Sequence, residues 1–193
     1  MKKLTAIFLF AGLVLFLPAM HAQQTYVGGQ VGIGIPGGEF GESYGLGYGG
    51  SAQFLYNLVD ENIWVNGHIG YTRFGFSSDR RENVTGSWST VPLLGSIRYQ
   101  LSKGNFRFYI GAQAGLHFIS RTLDTKINEV DIRTQTGTET AFGAGILGGF
   151  FYPISKSLTL DATLTYNTVL AEELEDGPGY MSLMIGIIYP ITL

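Results

Sequence analysis

Three stretches of the chain carry the spacing G-x-G-x-x-G: GIGIPG at 32–37, GLGYGG at 45–50 and GAGILG at 143–148. Such a run can cradle a pyrophosphate, but only where it follows a buried strand and opens a helix whose first amides face the phosphates. After Gly50 the sequence reads SAQFLYNLVDEN, in which Ala52, Phe54 and Tyr56 alternate with Ser51, Gln53 and Asn57. A period of two argues a strand. With 28 glycines in 193 residues, chance matches are expected. The runs therefore assign no cofactor.

Other candidate chemistry is sparse. A hydrolase needs a nucleophile, a base and an orienting acid within mutual reach. Past the N-terminal segment the histidines are His68 and His117, in no spacing that implies a metal. Glu172, Glu173, Glu175 and Asp176 offer carboxylates of the kind calcium takes. Nothing in their spacing fixes a geometry, and a solvated acidic tip is the plainer reading. Asn83-Val84-Thr85 matches a glycosylation sequon by chance. The absence of cysteine excludes disulfides, thiolate metal sites and a lipid-modified N-terminal cysteine. The expectation is no catalytic residue and no metal site.

The first 22 residues read as a secretory signal peptide. Lys2 and Lys3 precede a short apolar core, Ile7 to Leu17, and cleavage is expected between Ala22 and Gln23. Without Lys2 and Lys3, ten basic residues face fifteen acidic ones, which excludes a nucleic-acid partner. No later stretch is long and apolar enough for a membrane helix.

What remains alternates. At the C-terminal end Leu183, Ile185, Ile187, Tyr189 and Ile191 share one face, with Ser182, Met184, Gly186 and Pro190 on the other. Over 158–170, Leu158, Leu160, Ala162, Leu164 and Tyr166 oppose Thr159, Asp161, Thr163 and Thr165. Eight such strands are expected, at 25–35, 45–57, 62–76, 87–101, 106–120, 140–152, 157–170 and 180–193. Short turns at 58–61, 102–105 and 153–156 alternate with longer connections at 36–44, 77–86, 121–139 and 171–179. Tyr56, Tyr99, Tyr152 and Tyr189 all fall on the apolar face near a short turn or the C-terminus, as a periplasmic aromatic girdle would. The reading for 23–193 is all-β: one eight-stranded antiparallel up-and-down transmembrane β-barrel, exported to the bacterial outer membrane.

In signal peptide, strand count, loop alternation and final strand, the chain resembles the small OmpA/OmpX-like proteins of the single-domain outer membrane protein beta-barrel domain family. That resemblance implies contact with outer membrane lipids and lipopolysaccharide. It also implies recognition by the barrel-assembly machinery through Gly186, Tyr189 and Ile191 of the last strand. Two residues depart from the pattern: Leu193 stands where an aromatic is usual, and Pro190 removes a ladder N–H, so a short or bulged strand end is expected. No peptidoglycan-binding module is expected.

Parity also fills the lumen, since eight strands leave just enough width for side chains. Glycines on the first, second and sixth strands make room there. Trp64, His68, Arg98, Arg107, Tyr109, Gln113 and His117 all take the inward side. A symmetric 102–105 turn sets Arg98 opposite Tyr109 and Arg107 opposite Gln100. Asp161 is expected to bridge to at least one of these arginines and close the lumen. Arg73 points outward, high on the third strand, within reach of headgroup phosphate. The segment 121–139 is expected to protrude as a hairpin whose edge could take a protein partner. The function these features fit is a structural or surface-interaction barrel with a filled polar lumen. Three alternatives remain open: a narrow porin, a soluble lipocalin-like binding barrel of the periplasm, and a lipid-modifying enzyme.

Overall fold

The computed structural model describes residues 25–59, 62–76, 84–127, 130–170 and 178–191. The signal peptide expected at 1–22, Asn83, the carboxylates at 172–176 and Leu193 lie outside the described residues. Eight strands follow one another: β1 (Thr25–Pro36), β2 (Tyr44–Val59), β3 (Ile63–Phe76), β4 (Val84–Gln100), β5 (Arg107–Ile127), β6 (Val130–Pro153), β7 (Thr159–Leu170) and β8 (Gly179–Ile191). Each pairs antiparallel with its sequence neighbours, and β8 closes on β1 to complete the barrel. Closure satisfies the backbone without leaving an edge through the wall.

The alternation of residue types becomes an alternation of burial. Along β7 Thr159, Asp161, Thr163, Thr165, Asn167 and Val169 are buried, while Leu164, Tyr166 and Leu170 are exposed. In a soluble barrel the apolar face would be the buried one. Here Ile97, Ile146, Ile185 and Leu183 are each more than half exposed and the polar residues are inside. That inversion places the solvent of low polarity outside the wall.

Four expectations need correction. The connection 36–44 contains a short helix, α1 (Gly38–Ser43), entered through Gly38 at φ 55°. Gly37 N–H donates to the Gly179 carbonyl (2.9 Å), which ties the helix to β8. Second, β5 and β6 run past the bounds of 120 and 140 and form the paired hairpin expected at 121–139. They stay paired to Ile127↔Val130, with one irregularity beside Ser120. Third, β8 runs unbulged past Pro190, which sits opposite Tyr26. The β7 ladder has already ended at Thr159↔Ile188, so Pro190 has only one neighbour strand to disappoint. Fourth, the β4–β5 register differs by two residues. Gln100 faces Tyr109 and Arg98 faces Gly111. The turn is wider than a symmetric one: Leu101 N–H reaches the Phe108 carbonyl (2.7 Å), the Ser102 hydroxyl bonds both Phe106 O and Phe108 N, and Gly104 takes φ 125°. A shift of two preserves parity, so every inward residue stays inward.

Close strand approach explains particular glycines. A Cβ on Gly149 would lie 2.7 Å from the Tyr109 ring and collide with the Ala162 carbonyl. Gly149 thus lets Tyr109 lie across the lumen. Gly149→Ala is expected to lower stability by about 1–3 kcal/mol through overpacking against a backbone that cannot retreat. Urea-dependent unfolding in lipid vesicles measures this, and an unchanged midpoint would refute it.

Candidate functional site in the lumen

The inward residues form three layers. At the short-turn end Tyr26, Leu55, Trp64, Tyr109, Phe151 and Ile188 pack together with Leu147. At the long-loop end Phe74, Trp88, Ile119, Val169 and Tyr180 do the same with Ala141, and Phe40 of α1 caps them, its ring centroid 5.0 Å from Trp88 and 5.3 Å from Phe74. Between the two lies a polar layer. Along β3 the inward residues read Trp64, Asn66, His68, Gly70, Thr72, Phe74: aromatic at both ends with polar residues and a glycine between. A cavity of about 50 Å³ lies in the polar layer, room for a few waters.

Asp161 is the centre of the polar layer and is fully buried. Its Oδ2 accepts from Arg98 Nη1 (3.2 Å) and Gln53 Nε2 (2.8 Å); its Oδ1 accepts from the Tyr109 hydroxyl (2.5 Å) and from Thr163 Oγ1 (3.2 Å). Arg98 Nη2 donates on to Gln53 Oε1 (3.3 Å), which also accepts from Asn66 Nδ2 (2.9 Å). The Arg98 guanidinium lies 4.9 Å from the Tyr109 ring centroid. Gln30 Nε2 donates to Thr163 Oγ1 (3.1 Å). Residues from six strands meet here. A buried charge pair is tolerable only where the remaining lone pairs and protons are satisfied, and this carboxylate receives four donors.

Of the residues named from sequence, the structure brings Arg98, Tyr109 and Asp161 together. Arg107 stays apart: it is half-buried near the turn, its guanidinium 5.9 Å from the Phe151 ring centroid, with no ion pair among the described residues. Gln100 turns back to the Ser102 carbonyl (3.0 Å). Gln53, Asn66, Thr163 and Gln30 complete the network. Their inward parity was readable; their convergence was not, because Gln53 and Asp161 lie 108 positions apart and meet only through barrel closure.

Tyr56, Tyr99, Tyr152 and Tyr189 all point outward, Tyr99 and Tyr189 half exposed. Tyr152 joins Phe106, Phe108 and Phe150 in one aromatic patch, its ring centroid 4.8 Å from that of Phe106. Gly186 faces inward where a Cβ would collide with the Gly29 carbonyl and lie 2.6 Å from Gln30 Cα; Ile191 closes the ladder opposite Thr25.

The catalytic and nucleotide options can be tested on geometry. Thr90 Oγ1 and His117 Nδ1 lie 3.3 Å apart, a nucleophile–base distance, but both side chains are sealed in the lumen and His117 Nε2 has no partner to orient the ring. GLGYGG lies within β2 and GAGILG within β6. GIGIPG does precede a helix, but α1 is six residues long and β1 and β2 are antiparallel, so the unit is not a βαβ crossover.

A closed eight-stranded barrel with an apolar exterior, an aromatic belt and a polar packed interior is an integral outer-membrane barrel. The sequence agrees: the chain belongs to the outer membrane protein beta-barrel domain family, which it matches over residues 7–188. No curated protein sequence matches it. Solved structures share the fold at low identity. Neisserial surface protein A is 17% identical with a TM-score of 0.58, covering 88% of this chain and 99% of its own. Ail, the attachment invasion locus protein of Yersinia pestis, is 10% identical with a TM-score of 0.52, over 88% and 97%. A major outer membrane protein of Thermus thermophilus is 15% identical with a TM-score of 0.57, over 89% and 100%. The bacterial outer membrane is therefore where this barrel resides.

Proposed function

We propose that the protein is a non-conducting surface-interaction barrel, exported by a cleaved signal peptide and folded by the barrel-assembly machinery through Gly186, Tyr189 and Ile191. The observation that carries the reading is the height of β4, β5 and β6. On the β7 side, β6 is paired only as far down as Phe142↔Leu170, yet it continues to Val130. On the other side β4 covers β5 as far as Val84↔Thr125. The result is a three-stranded blade rising from one side of the wall. The β6 backbone from Val130 to Ala141 is its outer edge: paired with β5 on one side, it has no strand partner on the other among the described residues. Such an edge can take an extended segment of a partner protein. The names of two relatives in fold, a surface protein and an attachment locus protein, accord with a surface role. The aromatic layers at both ends of the lumen argue against the narrow-porin alternative.

Two measurements test this. Amide hydrogen exchange on the barrel in detergent or bilayer should find 122–127 and 130–136 protected, far more slowly exchanging than a solvated loop. Rapid exchange throughout both segments would remove the blade. Planar-bilayer recording should show no steady single-channel conductance, and a reproducible open level would restore the porin reading.

A further inference from the structure

The outward residues of the eight strands are apolar, small or hydroxylated, with one exception among those described. Arg73, on β3, is the sole charged side chain among them that faces lipid. A guanidinium on that face is expensive unless it meets an anion. Among the described residues none is supplied: the Arg73 side chain makes no hydrogen bond, ion pair or ring contact with any of them.

Its height is informative. Arg73 lies ten residues above Ile63, the first residue of β3. At ~3.3 Å per residue and a tilt of ~40°, that is about 25 Å above the periplasmic boundary, the full height of the apolar band. Arg73 thus sits where the outer-leaflet headgroups begin. Its setting is open and rich in donors. Directly across the ladder on one side is Tyr48, 62% exposed; two residues back on the same face is Tyr71, 45% exposed. On the other side is Ser89, whose hydroxyl donates to the Ser120 carbonyl (3.3 Å) and keeps its lone pairs. Gly75, next outward along β3, has no side chain, and even a Cβ there would meet nothing within 4 Å. Nothing on the described barrel wall therefore screens the guanidinium from above.

We propose that Arg73 and Tyr48 form a site for a lipid headgroup phosphate on the outside of the barrel. The guanidinium fork receives two phosphate oxygens and the Tyr48 hydroxyl donates to a third. The site rests on the outer-membrane placement of the family and adds to it a fixed lipid contact at one azimuth of the wall. Two headgroup classes carry this chemistry there: the phosphomonoesters of lipid A and the phosphodiester of an anionic phospholipid.

The test uses the full barrel in phosphatidylcholine nanodiscs doped with either bisphosphorylated lipid A or phosphatidylglycerol, with bound lipid counted by native mass spectrometry. Arg73→Gln should lower retained phospholipid or lipid A at least tenfold. Arg73→Lys should retain an intermediate amount, because a point charge keeps attraction and loses the fork. Tyr48→Phe should fall between wild type and Arg73→Gln. Arg73-dependent retention of lipid A alone assigns the site to monoesters; equal retention of phosphatidylglycerol assigns it to any lipid phosphate. Identical retention by wild type and Arg73→Gln for both lipids would overturn the site. Each variant should keep the gel mobility difference between boiled and unboiled samples. Failure of the wild type to insert at all would overturn the membrane placement instead.

Discussion

Ile185→Arg should lower the stability of the barrel in a bilayer by about 2–4 kcal/mol, the cost of a mid-membrane arginine on the lipid face. Ile185 is 52% exposed on the outer side of β8, level with Val31 of β1 and Ala162 of β7, and no polar group is available to it there. Ile185→Leu, which keeps the volume, should cost under about 1.5 kcal/mol. Refolding titrations in lipid vesicles compare the two, and an equally mild arginine would mean that the outward assignment is wrong. Thr163 faces the lumen, where the cost of an arginine is set by local room and partners, and Thr163→Arg is expected to damage folding less than Ile185→Arg. Thr163 is buried, accepts from Gln30, and lies 2.6 Å from the Tyr109 hydroxyl. An arginine there would overfill the layer by about 1–3 kcal/mol and set a second cation near Arg98. Facing inward is not the same as having room.

That contrast marks what the sequence discloses. Parity needs only local information, since successive side chains point to opposite faces, and the apolar faces of β7 and β8 could be read residue by residue. Strand ends were legible wherever Gly, Pro or Asn punctuates the chain. At β5 and β6 the bounds of 120 and 140 were too short, but the alternation of Val130, Ile132 and Thr134 already showed the hairpin of 121–139, which is paired to Ile127↔Val130. The β4–β5 register failed because it depends on how Ser102 and Gly104 shape the turn, and turn geometry is poorly encoded by length alone. The helix α1 is too short to show a helical period; its one informative residue, Phe40, reads as helical lid only once Phe74 and Trp88 are known to lie beneath it. The composition of the lumen site was legible and its wiring was not. A carboxylate was required near Arg98, but which glutamine would complete the pair is decided by the stagger of closure, a property of the whole barrel. The ion pair expected between Asp161 and Arg98 is present, and aromatic layers lie on either side of it.

Asp161→Ala should then be the most damaging single truncation in the polar layer, and it should leave the barrel closed to ions. Removing the carboxylate strands Arg98, which is only 3% exposed and keeps just Gln53 and the Tyr109 hydroxyl as hydrogen-bond partners. Leaving one member of a buried pair uncompensated costs about 3–5 kcal/mol. The loss spreads, since Gln53 Nε2, Tyr109 and Thr163 lose their acceptor together. Adding Arg98→Ala removes the stranded charge and should recover part of the loss, a coupling of about 0.5–3 kcal/mol. Arg107→Ala in the same background should recover nothing, because Arg107 lies over Phe151 at the turn and forms no ion pair with Asp161. Unfolding midpoints in vesicles for the four corners of each cycle give both couplings. Absence of coupling between Asp161 and Arg98 would mean that water solvates each charge separately, and the lumen would then be wetter than its packing implies. Conductance separates the remaining possibilities. With Trp64, Tyr109 and Phe151 below and Phe74, Trp88 and Tyr180 above, the variant should still carry no steady current. An open channel in Asp161→Ala would show that the ion pair itself holds those rings across the lumen.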